Sequence, residues 1–396
     1  MTATDTTAVV DAPAETGEVA DTKPKRKGRA AARKRLAFTA DREPLHKALA
    51  GAVLAILPGG LPVLADVKLT VARNRLTITA TDLALSIETT IPVKAAKAGT
   101  VLVPGRLLFE LVRSAGDEIR IAEGDGECDF TSGDFQATLN THDAADFPVP
   151  PPVDGDPLEV DSLLLFAAVA RTVKAASNDP VRPMLNTLFI HNVDGQSRLV
   201  ATDSYRLHVT DLGEKMTAGD VVIPARFATV ASRVLAGESD NVAVTVTASH
   251  IAMSTPSTTV IARIVEGDYP NYAGLFPATS DLHVTVDRRP LAAAITRMRA
   301  LIDADTTVVL TFEAEQVTVS AYGVDVGNAA ETIRCQNGPD EAMRIGFKPE
   351  YLRDALAVQV ADSVTFAMRD AIKAVVIEVA GNTAVRHLLM PVRVPG

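Results

Sequence analysis

The chain has 396 residues, with 49 Asp and Glu against 39 Lys and Arg and a formal net charge of −10. Hydrophobic residues make up 47% and charged residues 22%, which provides material for about two to four cored domains and excludes a mostly disordered chain. The acidic balance argues against a simple basic nucleic-acid binder, and no apolar run reaches the roughly 18 residues that a membrane-spanning helix needs.

Residues Met1–Arg35 are rich in Ala and Thr and first acidic, then turn basic over Lys23–Arg35, KPKRKGRAAARKR. They show no apolar periodicity and no apolar signal core, so they read as a disordered basic tail. Such a tail is either a solvated terminus or a sequence-independent grip on phosphates. The expected folded part starts near Leu36. A helix is expected over Asp41–Ile56, with Asp41 as N-cap and Pro44 in its first turn. Strands are expected around Val67–Val71, Leu76–Ala80 and Leu83–Thr89. Val101–Gly116, VLVPGRLLFELVRSAG, reads as a strand, a proline and a helix closed by Gly116. Strands at Ile119–Ala122, Glu127–Thr131 and Phe135–Leu139 follow, then the Pro-rich linker Phe147–Pro157.

The same order then recurs twice. Helices are expected at 161–176 and 224–237 in the second pass, and at 287–302 and 348–360 in the third. The corner Thr202–Ser204, flanked by strands at 198–201 and 206–210, repeats the corner at Asp82, since Asp82 and Asp203 are 121 residues apart. Pro104 precedes Pro224 by 120 residues, and Pro224 precedes Lys348 by 124. Pro148, Pro270 and Pro391 are spaced by 122 and 121 residues. Three landmarks in order, in three copies, imply a threefold repeat. Each unit has two helices among roughly eight strands, an α+β architecture with helices packed on antiparallel sheets.

The six expected helices carry fourteen Lys and Arg against seven Asp and Glu, although the chain as a whole is acidic. Cationic helices on an anionic protein draw a polyanion to one face. For any single residue a solvated helix face is the simpler reading; over six repeated helices DNA is favoured. The candidate DNA-facing residues are Arg42, Lys47, Arg106, Arg113, Arg171, Lys174, Arg226, Arg233, Arg297, Lys348 and Arg353. Cys128 and Cys335 form no metal motif and no disulfide framework, which fits a reducing, cytoplasmic setting. His142 and His250 stand isolated, and no phosphate loop or metal spacing occurs. No catalytic residue, metal or cofactor is therefore expected.

These residues together resemble the bacterial DNA polymerase III beta subunit, the sliding-clamp family. The motifs are VPGRLLFELV, the ADFP that ends the first unit, RPMLN at Arg182–Asn186, VATDSYRL, DYPNYAGLFP and LLMPVRV, and the likeness covers about Leu36–Val394. The resemblance implies clamp domains at 36–150, 158–278 and 280–396 and a head-to-tail homodimeric ring of six domains. Helices would line the hole, with double-stranded DNA encircled irrespective of sequence. It implies a subunit contact between Phe135 of one copy and Leu301 and Ile302 of the other, with core packing as the alternative for all three. It also implies a groove for short peptides of the polymerase, the clamp loader and repair proteins. By motif that groove is lined by Arg182, Met184, Leu185, Thr202, Arg206, Leu207, Pro270, Leu275, Leu388, Leu389, Met390, Pro391, Val392 and Arg393. The simpler reading is that Leu185, Leu207 and Leu389 seal a junction between units.

The chain departs from the family pattern at Pro183–Met184, Ser204–Tyr205, Gly274, the short loop Leu57–Pro62 and Ser320–Tyr322. These departures suggest a specialised or secondary clamp copy, plasmid- or phage-borne or altered in inhibitor sensitivity. A clamp-fold scaffold that no longer encircles DNA is the other alternative.

Overall fold

A computed structural model describes residues 35–396 except 60, 303–305, 324–326, 358, 360, 380, 395 and 396. The expected tail, up to Lys34, lies outside the described residues. Arg35 pairs with Asp125, and the buried Leu36 donates its N–H to Glu123 at 2.9 Å, so the fold begins where the hydrophobic pattern does.

Six helices punctuate the strands: α1 Arg42–Ala52, α2 Gly105–Ser114, α3 Ser162–Thr172, α4 Ala225–Leu235, α5 Arg288–Met298 and α6 Pro349–Ala357. They pack in pairs, α1 on α2, α3 on α4 and α5 on α6. Short 3-10 turns extend α1, α3 and α5, so the expected helix ends near 56, 176 and 302 are turns rather than α-helix. Asp41 occupies the N-cap position of α1 without making a capping bond. The third helical residue there is Pro44, which has no N–H to give. Asp161, by contrast, accepts from Leu164 N–H at 2.9 Å. Gly116 does not close α2 in a left-handed turn. The chain turns extended at Ala115, and Gly116 N–H donates to Ser132 Oγ at 2.9 Å on the way into the strand Glu118–Glu123. Gly105 is required by space: a Cβ there would lie 2.5 Å from Ile56 and 2.8 Å from Val67.

Every strand pairing among the described residues is antiparallel. The strands do not form one closed sheet per unit, as the repeat alone suggests. A five-stranded sheet stays within the first unit, while sheets of eight and twelve strands run across unit boundaries. In the eight-stranded sheet, Leu85–Pro92 of the first unit pairs with Thr258–Arg263 of the second. Leu85 faces Ala262, Ile87 faces Val260 and Thr89 faces Thr258. In the twelve-stranded sheet, Arg206–Asp211 of the second unit pairs with Asn382–Leu389 of the third. Arg206 faces Leu389, His208 faces His387 and Thr210 faces Val385. The two joints therefore share one rule: the strand after the corner of a unit pairs with the last strand of the next unit.

The joints differ in their interiors. One continuous buried core runs through the first two units, from Leu36 to Ala262. The third unit has a separate core. Between them, at the second joint, sits a small cluster of Val200, Leu207, Val209, Tyr272 and Leu388, backed by Phe189, Tyr269 and Phe276.

Candidate partner groove and nucleic-acid face

The corner between the strands Gln196–Thr202 and Arg206–Asp211 is held by its own side chains. Asp203 Oδ1 accepts from the N–H groups of Tyr205 and Arg206, both at 2.9 Å, an Asx-type turn. Thr202 Oγ1 donates to the Arg206 carbonyl at 2.6 Å. Ser204 sits at the tip with φ 80°, a left-handed backbone that costs a non-glycine residue about 1–2 kcal/mol. Met390 N–H donates to the Tyr205 carbonyl at 2.9 Å, so the corner's outer lip is Tyr205 against Met390. Both side chains are exposed, as is Leu275.

Arg206 turns the other way, toward α6. Its Nε lies 3.0 Å from Asp203 and its Nη1 2.8 Å from Asp354. Its guanidinium stacks 4.3 Å over the Tyr351 ring. The Arg206, Asp203 and Asp354 side chains are only 11%, 12% and 17% exposed, so this ion pair is largely shielded from solvent. Burial, then the Asp203 carboxylate, pushes the Tyr351 phenol up to about 12.

The structure divides the groove residues expected from sequence. Arg182, Pro270, Leu275, Met390 and Arg393 are exposed, and Met184, Leu185, Pro391 and Val392 are half-buried. Thr202, Leu207, Leu388 and Leu389 are buried and shape the joint from within. Leu207 lies in the small cluster at the joint and Leu389 in the core of the third unit. Leu185 is half-buried beside the surface residues. Met184 packs toward Gly267, where φ is 130° and an added Cβ would lie 2.8 Å from the Met184 methyl. Arg393 stands apart from Arg206, in a cavity of about 680 Å³ with Arg344, Tyr322 and Ser320.

Behind the corner, His208 and His387 meet edge to face across the strand pairing, with an interplanar angle of 72°. Their ring centroids are 4.0 Å apart and both residues are fully buried. His208 Nδ1–H donates to the Arg171 carbonyl at 3.0 Å, while His208 Nε2 and both His387 nitrogens have no hydrogen-bond partner among the described residues. Burial lowers His208 to about 3, with Arg206 adding to the effect. Burial, then His208, Arg171 and Arg206, holds His387 well below the ordinary histidine range. The same positions at the first joint are Ile87 and Val260.

The cationic helix residues fall into two groups. Arg113 and Arg233 of α2 and α4, and Lys174 in the turn that extends α3, are exposed, and Arg42 and Arg171 half-buried. Others are engaged within the fold. Arg226 bridges two units, with Nη1 on Asp82 at 2.5 Å and Nη2 on the Leu54 carbonyl at 2.8 Å. Arg106 donates to the Ile56 carbonyl, Lys47 pairs with Glu238 and Arg297 makes a two-point pair with Glu331. Arg353 lies 3.6 Å from Asp354, and Lys348 lies over the Tyr351 ring. Arg226 and Arg106 thus both make hydrogen bonds within the chain. The backbone carbonyls left at the ends of neighbouring turns capture them.

Phe135 is 52% exposed on the edge strand Phe135–Asn140, and Leu301 and Ile302 are half-buried at the end of α5. Asp354, Tyr351 and Asp203 are the site residues that sequence reading missed. No periodicity marks them, because their role depends on which helix of the third unit comes to face the corner. No helix among the described residues is long and apolar enough to cross a membrane.

Comparison with known proteins agrees with this architecture. Family models for the N-terminal, central and C-terminal domains of the DNA polymerase III beta subunit match residues 36–151, 159–271 and 273–393. The chain is 24% identical to the beta sliding clamp of Staphylococcus epidermidis over 372 residues, covering 90% of this chain and 99% of that one. Among solved structures it is similar to the sliding clamp of Bartonella birtlesii bound to griselimycin, with a TM-score of 0.84 at 27% identity. It is also similar to the DNA polymerase sliding clamp of Pseudomonas aeruginosa, with a TM-score of 0.82 at 26% identity. Both comparisons cover 91% of this chain and 100% of the other. The chain belongs to the DNA polymerase III beta subunit family, the sliding clamps that serve as processivity factors in DNA replication.

Proposed function

We propose that two copies close head to tail into a ring of six clamp domains around duplex DNA. The ring tethers the polymerase by topology and takes peptides of the polymerase, the clamp loader and repair proteins at the second joint, with no catalysis of its own. The observation that carries this reading is the repeated joint. Each internal joint uses the strand after a corner and the last strand of the next unit. Applied once more, the rule leaves two strands over: Gly327–Gln336 of the third unit and Phe135–Asn140 of the first. Phe135–Asn140 has a pairing partner on one side only among the described residues. Gly327–Gln336 meets Leu282–Asp287 only at Cys335 and Gln336, leaving the rest of that edge open. Two open edges that match by repeat symmetry pair between copies, and a C2 arrangement uses both contacts and closes. Sliding suits this chain because Lys and Arg contacts to phosphates carry no base readout.

The partner groove is supported by the exposed lip of Tyr205 and Met390 over the buried joint, together with the exposed Leu275 in the turn after Tyr272. An apolar recess edged by few polar groups seats a Leu or Phe side chain. Its test is fluorescence anisotropy with a labelled hexapeptide ending in Leu-Phe. Met390→Asp is expected to weaken binding at least about 30-fold, since a carboxylate would be desolvated against the anchor. Binding unchanged in that variant would remove the groove from this joint.

A further inference from the structure

The strands after the two corners correspond position by position, since Leu85 lies three residues after Asp82 and Arg206 three after Asp203. The counterpart of Arg206 is Leu85. The spacing from Pro224 to Lys348 makes Val230 of α4 the counterpart of Asp354 of α6. Leu85 and Val230 are both buried and apolar. The first joint thus has no ions at these two places, its corner being tied to α4 by Asp82 and Arg226, whereas the joint that carries the groove has an arginine and a carboxylate there.

We propose that Asp354 is a positioning residue for the partner groove, acting through Arg206; the inference rests on the groove reading. Asp354 and Asp203 grip two different nitrogens of one guanidinium, and Tyr351 covers its face. A planar fork held at two points and stacked on a ring has little freedom left. The main chain of Arg206 is in turn fixed to Leu389 in the strand ladder, next to the Met390–Tyr205 bond that makes the lip. Asp354 therefore sets, from a helix of the third unit, the position of a corner that belongs to the second. Without its charge Arg206 keeps a single carboxylate, the corner loses its tie to the third unit, and the lip is no longer held at the spacing an anchor side chain needs.

The test uses the full-length protein and the same labelled hexapeptide. Asp354→Asn is expected to weaken binding about tenfold, less than when a charge pair buried in an interface loses one partner, because Asp354 acts only through Arg206. Asp354→Glu is expected to recover binding to within about threefold, because the carboxylate and not the volume is what matters. Arg206→Lys should show the loss of Asp354→Asn, and the double variant should be no weaker than either alone, as expected for two residues acting as one unit. Independent, additive losses would overturn the inference, as would Asp354→Asn binding like wild type. Should Asp354→Asn fail to fold, Arg206→Lys alone and with Asp354→Glu carries the same test, with no further loss expected and an added loss contradicting it. Met390→Asp separates the two readings. If it leaves binding intact the groove assignment fails; if it abolishes binding while Asp354→Asn does not weaken it, only the role of Asp354 fails.

Discussion

Leu83 and Ser204 occupy the same point of two corners 121 residues apart, and both have left-handed backbone, with φ 75° and 80°. Neither residue type favours that conformation, so each corner stores strain that glycine would relieve. Ser204→Gly and Leu83→Gly are each expected to raise stability by up to about 1 kcal/mol, read as a higher midpoint in urea with an unchanged slope. A lowered midpoint for both would show that the corners are not strained. The His208–His387 pair gives a second prediction at this scale. Folded, both rings stay neutral because they are buried beside Arg171 and Arg206. The nearby carboxylates Asp203 and Asp354 are already committed to Arg206. Unfolded, each ring takes up a proton near pH 6.5. Stability from the pair is thus fully present above about pH 6.5 and falls as the pH drops, by up to about 1.4 kcal/mol per ring per pH unit, until His208 itself protonates near 3. Copying the first joint, with His208→Ile and His387→Val, should flatten this slope between pH 6.5 and 5 in equilibrium unfolding. An equally steep slope in the double variant would rule the pair out as its source.

At the scale of elements, the two joints are fastened differently. The first is sealed by a core continuous across both units and pinned by Arg226, which reaches from α4 to Asp82 and the Leu54 carbonyl. Arg226→Ala is expected to cost about 2–4 kcal/mol, since it strands Asp82, whose side chain is 4% exposed. A loss within about 0.5 kcal/mol, the range of an ordinary surface change, would show that the pin is decorative. The helices, the corners and the strand–proline–helix runs were legible in the sequence because Asp turns, proline stops and apolar periodicity are local signals. The false cap at Asp41 shows the limit, since Pro44 removed the donor that the cap needs. The fastenings were not legible. Arg226 reads as one more helix cation until the fold brings Asp82 to it, 144 residues away. Asp354 has no marking pattern, and its partner Arg206 is 148 residues distant.

At the scale of the molecule, the threefold repeat was visible from three spaced landmarks, and the ring follows from how its joints repeat. Nothing in the periodicity revealed that the sheets cross unit boundaries, yet that crossing is what leaves two open edges for a second copy. The reading of a polyanion-facing helix set is now narrower. Lys174 and Arg233 are exposed, whereas Arg113 pairs with Glu110 and Arg106 and Arg226 bond within the fold. The central claim is that the protein holds DNA by encirclement. The most direct measurement loads the protein onto a nicked circular duplex with a clamp loader and ATP, isolates the complex by gel filtration, and then linearises the DNA with a restriction enzyme. Retention on the circle as a dimer of about twice 41.8 kDa, with release once the ends are free, is the predicted result. A monomer on the DNA, or retention that linearisation does not change, would contradict it.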